Sequence, residues 1–343
     1  MACETVVIGL NWVGDNVLAI PAYKALQHRF RSEGGIAVAA PRNVAALLEA
    51  SGIFRQVIGW NGSTRNRIAA LRAGGGFRRA VILPNSFRAA MVALAAGIGE
   101  RWGYPTDLRR LLLTHPVAPP EARGHQLDDY TPLLAALNAP RVVDDIPTIK
   151  LPPAIRERGR RQLIEIGLHL DRPIIAIHAG GLYGRAKHWG DARYVEIIKR
   201  LRLEGFDVVL LTSPGERDQA QRIATTCNGV PIAGHQGDVL ELAAAISQCA
   251  ALITNDSGPL HVAAALAVPS VSIFGPTDPG RTVIPGATHV VSRALECQPC
   301  YQRECPLRHH RCMSEVSVDE VFTAAVGLFA EVEPEVPAHH LEA

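Results

Sequence analysis

Short runs of aliphatic and β-branched residues recur along the chain, and between them apolar positions return every three or four residues. The first pattern is that of buried strands, the second that of helices with one apolar face. Strands are predicted over 5–8, 36–39, 56–58 and 80–83, alternating with helices over 19–29, 44–50, 68–73 and 87–96. Single helices between strands imply parallel pairing through right-handed crossovers, so the first half reads as a doubly wound α/β domain. The pattern breaks between 142 and 153, where Pro147, Pro152 and Pro153 mark a linker, and a helix over 154–166 follows. A second series has strands over 174–177, 208–211, 251–254 and 270–274, and helices over 192–203, 216–226, 240–248 and 259–266. The expected organisation is two α/β domains, 1–153 and 154–343, facing a cleft at the C-terminal ends of their sheets, where open α/β sheets take ligands. A helix over 319–330 and an acidic, proline-bearing tail expected to be disordered close the chain.

At 343 residues the chain exceeds the roughly 250 to 300 that one hydrophobic core organises, which agrees with two domains. With 48% hydrophobic and 20% charged residues it is neither disordered nor fibrous. No run reaches the roughly 18 apolar residues of a membrane-spanning helix. The first residues lack the basic start and small-residue cleavage site of a signal peptide, so a cytosolic location is expected. The net charge of +2 conceals a split. Residues 1–170 hold 21 Lys and Arg against 13 Asp and Glu, a net +8, whereas residues 171–343 hold 14 against 20, a net −6. A cationic first half suits an anionic partner, although an arginine-rich solvated surface gives the same count.

The first strand runs into Gly9-Leu10-Asn11-Trp12-Val13-Gly14-Asp15-Asn16. Its spacing is not G-x-G-x-x-G, and no acid follows the second strand, which argues against a dinucleotide cofactor. Asp15 falls at the strand-to-helix turn, either as a helix N-cap or as a carboxylate facing a ligand. After strand 174–177 come Gly180, Gly181 and Gly184, then Lys187, a loop whose backbone N–H groups and ammonium suit a phosphate. Glu216, just past strand 208–211, is placed to take ribose hydroxyls. In Thr254-Asn255-Asp256-Ser257-Gly258-Pro259-Leu260-His261 a strand ends in small polar residues and Pro259 opens a helix, presenting free N–H groups as a diphosphate seat. Asp256 and Ser257 could equally be ordinary caps, and His261 could donate to a ligand or cap.

Four segments taken together resemble the ADP-heptose:lipopolysaccharide heptosyltransferase family, glycosyltransferase family 9: N-W-V-G-D-N at 11–16, the ordered Gly, Lys and Trp of 180–189, T-N-D-S-G-P-L-H at 254–261 and F-G-P-T-D-P at 274–279. The segment from Glu296 to Met313 looks most like the branch that adds the second inner-core heptose. The resemblance implies the GT-B fold, two Rossmann-like domains with the acceptor on the first and the nucleotide sugar on the second. The helix over 319–330 is then a candidate to pack back on the N-terminal domain. It further implies inverting, metal-independent transfer of heptose from ADP-heptose to an anionic lipid A–Kdo–heptose acceptor, at the cytoplasmic face of the inner membrane, with no nucleic acid involved. Asp15 matches the general base, with Asn11 and Trp12 on the acceptor side. Lys187 and Asp256 match contacts to heptose or phosphate. Gly180, Gly181, Ser257, Gly258 and His261 line the diphosphate, and Glu216 meets the ribose. Where family members often carry Thr or Ser before the lysine, this chain has Arg185-Ala186. A relative using another sugar nucleotide or acceptor, and a catalytically silent sugar-nucleotide-binding module, are the alternative readings.

Seven cysteines, an odd number, argue for reduced thiols or a metal site rather than a disulfide framework. Cys297, Cys300, Cys305 and Cys312 fall within 16 residues, with His309 and His310 between them. Four thiolates suffice for a structural zinc, but the spacing matches no standard ribbon, and free thiols are the alternative. No cofactor is expected to be required for catalysis.

Overall fold

The computed structural model describes residues 3–139, 146–181, 183–234, 238–286 and 288–330. Within them lie two parallel six-stranded sheets. The first contains β1 (Thr5–Ile8), β2 (Ile36–Pro41), β3 (Gln56–Trp60), β4 (Arg79–Ile82), β5 (Glu100–Gly103) and β6 (His115–Pro116), in the order β3-β2-β1-β4-β5-β6. The second contains β7 (Ile174–His178), β8 (Asp207–Thr212), β9 (Ile232–Gly234), β10 (Ala251–Asn255), β11 (Ser270–Phe274) and β12 (Thr288–Ser292), in the order β12-β11-β10-β7-β8-β9. Counted within each half, both sheets run 3-2-1-4-5-6. Strand order therefore reverses between β1 and β4 and again between β7 and β10, the crevices where such sheets bind ligands.

The central strands β1, β7, β10 and β11 are buried along their whole length, which is why they read as short runs rich in aliphatic and β-branched residues. β5, β6, β9 and β12 were not legible, because they are short or lie toward a sheet edge and are partly exposed. The helix expected over 19–29 is found as Ile20–Arg29, and a separate short helix, Val13–Leu18, precedes it. Pro21 has no N–H to give the carbonyl of Val17, so the ladder is interrupted there.

The halves are not merely tethered. Helix Arg42–Ala50 packs against helix Val239–Ile246, which in turn carries helix Pro153–Glu165. One apolar cluster runs through Val44 and Leu47 of the first half and Leu163, Leu240, Ile246 and Val262 of the second. Helix Val318–Ala330 does not return to the N-terminal domain. It packs on helix Asp191–Leu203 and on β10, β11 and β12, because its Val321 and Ala325 join the apolar cluster of Ile197 and Leu201. An Arg200–Asp319 ion pair lies at its start. Residues 142–145 of the expected linker and the tail after 330 lie outside the described residues.

Helix Pro153–Glu165 approaches its neighbour so closely that a Cβ at Gly159 would stand 2.1 Å from the Ala244 carbonyl oxygen. Backbone cannot yield as a side chain can. Gly159→Ala should therefore destabilise the protein by about 1 to 3 kcal/mol, read as a lower urea midpoint, although alanine is the better helix former.

Candidate active site

β1 ends in a turn whose shape is fixed by one buried amide. Asn16 Nδ2 donates to the carbonyls of Leu10 and Trp12 at 2.8 and 2.7 Å, while its Oδ1 accepts from Leu10 N–H at 3.2 Å and from Tyr23 Oη at 2.8 Å. The full use of this side chain sets the first turn of helix Val13–Leu18, and Asp15 projects from that turn. Asp15 is not a cap: the N-cap position is Trp12, without a side-chain hydrogen bond. The Asp15 carboxylate instead accepts from Gln126 Nε2 at 2.9 Å. Burial raises its pKa, the Gln126 bond and nearby His261 oppose this, and Asp129 and Asp256 add to it.

On the other domain, Lys187 Nζ donates to Asp256 Oδ2 at 2.5 Å and to the Asp256 carbonyl at 3.0 Å. Both side chains are almost wholly buried. Thr277, from the loop after β11, donates to the same carboxylate oxygen at 2.7 Å. Burial opposes the charge of Asp256, but Lys187, His261 and the Lys187 and Thr277 hydrogen bonds outweigh it, so its pKa lies below the ordinary value. Neither Asp256 nor Ser257 caps helix Gly258–Ala265, whose N-terminus carries no side-chain cap. Its free end faces the seam between the domains, as an anion seat requires. Buried Asn255 fastens the glycine loop to it, donating to the carbonyls of Gly180 and Lys187 at 3.1 and 2.9 Å and accepting from Tyr194 at 2.7 Å.

Glu216 lies beside this loop. Its Oε2 accepts from Ser213 N–H at 3.1 Å and Ser213 Oγ at 2.5 Å in a capping box, and meets His178 Nε2 at 3.2 Å. Burial raises its pKa, but the His178 hydrogen bond and charge and the Ser213 bonds prevail, holding it at about 2. A Cβ at Gly180 would fall 2.2 Å from Glu216 Oε1, so the glycine is what admits this glutamate. On its other side His178 Nδ1 stands 3.4 Å from Ser257 Oγ. Gly181 borders Asn255.

Two glycines bring the halves of the site together. A Cβ at Gly14 would fall 2.5 Å from His261 Cδ2, and one at Gly258 would fall 2.4 Å from Val13 Cγ1. Helices Val13–Leu18 and Gly258–Ala265 thus meet backbone to side chain, each yielding a glycine to the other. His261 Nε2 lies 4.0 Å from Asp256 Oδ1, and burial lowers its pKa against the pull of Asp256 and Asp15. A second link crosses nearby. Arg281 binds the Gly124 carbonyl and Asp129, and His125 Nε2 meets the Val283 carbonyl at 2.9 Å, so the segment carrying Gln126 is clasped by the loop that also carries Thr277.

The family model for glycosyltransferase family 9 (heptosyltransferase) matches residues 67–310. The chain belongs to that family. Lipopolysaccharide heptosyltransferase 2 of Salmonella typhimurium is 30% identical over 81% of this chain and 84% of its own. The crystal structure of Escherichia coli ADP-heptose lipopolysaccharide heptosyltransferase II superposes with a TM-score of 0.80 at 25% identity, covering 96% of this chain and 99% of that one. The solved structure of an E. coli heptosyltransferase with ADP-2-deoxy-2-fluoro heptose shares the fold, with a TM-score of 0.67 at 18% identity over 95% and 98% of the two chains. The two doubly wound sheets are those of a GT-B glycosyltransferase.

In this glycosyltransferase Asp15, Lys187, Asp256, Gly258 and His261 gather at the seam, with Ser257, Gly180, Gly181 and Glu216 behind them on the second domain. Asn11 and Trp12 are exposed, in the turn between β1 and helix Val13–Leu18. Asn11 lines a small pocket with Gly9, Trp60, Arg67, Pro84 and Ser86. Sequence reasoning missed Gln126, Thr277 and Arg281. Gln126 and Arg281 stand outside every glycine-rich turn, whereas Thr277 sat in a quoted motif without a role. The four C-terminal cysteines line one pocket with His309 and His310. Cys305 Sγ accepts the His310 N–H at 3.4 Å, and burial, then the neighbouring thiols, push Cys312 up to about 11. No three His, Cys, Asp or Glu side chains among the described residues are arranged to hold a metal ion.

Removing one partner of the buried Lys187–Asp256 pair leaves the other charge unmatched. Asp256→Asn should cost about 3 to 5 kcal/mol in denaturant unfolding, and Lys187→Met a similar amount. The double variant should lose clearly less than the sum of the two, which the double-mutant cycle measures directly.

Proposed function

We propose that the protein transfers L-glycero-D-manno-heptose from ADP-heptose to the heptose/Kdo inner core of lipopolysaccharide, inverting the anomeric centre, with Asp15 as the general base. The observation that carries this reading is the carboxylate of Asp15, oriented by one hydrogen bond from Gln126 and set across the seam from Lys187, Asp256, His261 and an uncapped helix N-terminus. Similarity to heptosyltransferase 2 over four-fifths of the chain supports the sugar and the acceptor class. The ADP-sugar held by the E. coli neighbour supports the donor.

In the proposed reaction the acceptor hydroxyl attacks the anomeric carbon from the face opposite the diphosphate. Asp15 takes the hydroxyl proton as the new C–O bond forms and the bond to the β-phosphate oxygen breaks. The electron pair leaves with ADP. One base and one displacement give inversion without a covalent intermediate. The charge of departing ADP is met by Lys187 and the N-terminus of helix Gly258–Ala265, so the proposed reaction is metal-independent. A pKa raised by burial makes Asp15 a stronger base than an exposed carboxylate.

The acceptor reading has its own support. In the pocket beside Asn11, the indole N–H of Trp60 and the Nε–H of Arg67 are buried donors without a partner. The Arg67 guanidinium stands 5.3 Å over the Trp60 ring, and burial together with Arg88 lowers its pKa. Unmatched donors beside two cations suit an anionic oxygen group, such as the carboxylate or phosphate of a Kdo-containing acceptor. The protein would then work at the cytoplasmic face of the inner membrane, as a peripheral enzyme; no helix among the described residues is long and apolar enough to cross a membrane.

Asp15→Asn should lower kcat by about 10² to 10⁴ and leave ADP affinity nearly unchanged, measured by turnover and calorimetry on one preparation. Unaltered turnover would remove Asp15 from the mechanism, and a preference for a UDP-sugar in a donor panel would end the heptose reading. Because the Gln126 bond favours the ionised carboxylate, Gln126→Leu should raise the pKa of Asp15 and move the acid limb of kcat/KM to higher pH. Arg67→Ala should raise KM for acceptor by about tenfold or more, with KM for the donor unmoved.

A further inference from the structure

Beside the acceptor pocket the first domain carries an apolar surface that the reaction leaves idle. Leu108 and Leu111 are 91% and 93% exposed, at the turn Arg109–Leu112 and the residue before it. Phe87 and Leu94, 45% and 42% exposed, lie seven residues apart and hence on one face of helix Phe87–Ala95, which packs against that turn. Scattered exposed leucines are ordinary, but four large apolar side chains on adjoining elements form a patch of the kind that marks an interaction surface.

The patch is built rather than loose. Asp107 and Leu108 both adopt positive φ, 50° and 56°, a conformation uncommon for residues other than glycine and sustained only where surroundings enforce it. The enforcing group is Arg109, wholly buried. Its guanidinium donates to the Tyr104 carbonyl at 2.6 Å, to the Pro84 carbonyl and to Asn85 Oδ1 at 3.2 Å. Asp107 accepts the Phe87 N–H at 2.6 Å, tying turn to helix. A buried guanidinium thus fixes a turn whose outcome is two leucines in water.

The surroundings say what covers it. Residues 61–112 hold nine arginines and two acids. Of the acids, Glu100 is paired with Arg78 and Arg79, and Asp107 is the helix partner just described. Arg72, Arg88 and Arg110 are exposed. Ser86 and Ala89, flanking Phe87 on the same helix start, line the pocket of Trp60 and Arg67, so patch and pocket are neighbours.

We infer that the face formed by Phe87, Leu94, Leu108 and Leu111, with Arg88 and Arg110 beside it, docks on an anionic lipid bilayer, the two leucines entering the interface. The inference rests on the reading that the acceptor is lipid-borne. Tails that stay in the bilayer let the sugar reach the pocket only if the surface next to the pocket lies against the membrane. Arginines draw this face to anionic headgroups and the leucines then insert, two weak contributions that together give reversible binding.

The test is sedimentation of the full chain with vesicles of phosphatidylethanolamine and phosphatidylglycerol, and with vesicles of phosphatidylcholine alone. The wild type should partition onto the anionic vesicles and hardly onto the neutral ones. Leu108→Asn/Leu111→Asn, which keeps the charge, should lower partitioning by about tenfold or more. Arg110→Gln should weaken it and flatten its salt dependence. Both variants should keep wild-type transfer to a lipid-free acceptor fragment, which separates failure of docking from failure of the proposed reaction. Equal partitioning of the leucine variant, absence of wild-type binding to anionic vesicles, or a wild-type dimer that the leucine variant converts to monomer would each overturn the inference.

Discussion

The contact on which the rest depends is the mutual approach of two helix N-terminal turns, each carrying a glycine where the other needs room. Gly14 lies under the ring of His261 and Gly258 under Val13, and a methyl group at either position would push the helices apart. That approach puts Asp15 within electrostatic reach of His261 and Asp256, groups that belong to the other sheet. The gain is that a carboxylate fixed at one switch point and an uncapped helix N-terminus fixed at another lie side by side.

Each half of the site is separately over-determined, and this lets a narrow seam hold its shape. Asn16 satisfies two carbonyls, one N–H and one hydroxyl around the first turn. Asn255 does the equivalent work for the glycine loop of the second domain. Neither amide is free to bind a ligand. Their role is structural: they fix the turn that carries Asp15 and the loop that carries Lys187. The loop after β11 adds coupling, since its Thr277 holds Asp256 while its Arg281 holds the segment that presents Gln126 to Asp15.

Both sheets were legible because their central strands are buried on two faces and show as aliphatic runs, and the motif at 254–261 was legible because a proline-opened helix after a buried strand is a local signal. Asp15 was found but its alternative as a cap could not be dismissed, since capping is a matter of where the helix begins, and the helix begins three residues earlier than a local reading suggests. Lys187 was read as a charge free for phosphate, whereas it is paired with Asp256, a contact across 69 residues that no spacing rule encodes. Gln126 and Arg281 were invisible for the same reason, as both act across the domain seam. The C-terminal helix was assigned to the second domain with a return to the first left open, because its apolar face fits any apolar groove in sequence terms, and tertiary packing sets it on the second sheet.

The electrostatics of the seam set Asp15 apart from the other carboxylates. Asp256 and Glu216 are held below their ordinary values by ammonium, imidazole and hydroxyl partners, so they remain acceptors and do not compete for protons near neutrality. Asp15 is the carboxylate among them shifted the other way, with a single side-chain hydrogen bond, from a neutral amide. A guanidinium in place of Gln126 would orient it equally well but would depress its affinity for a proton. An amide orients the carboxylate while leaving its basicity to burial and to the negative charge of Asp129 and Asp256. Divergent pKa values among neighbouring acids separate a proton-accepting role from charge-holding roles. Here the division of pKa directions follows the domain boundary: the raised carboxylate is on the first domain, the lowered ones on the second.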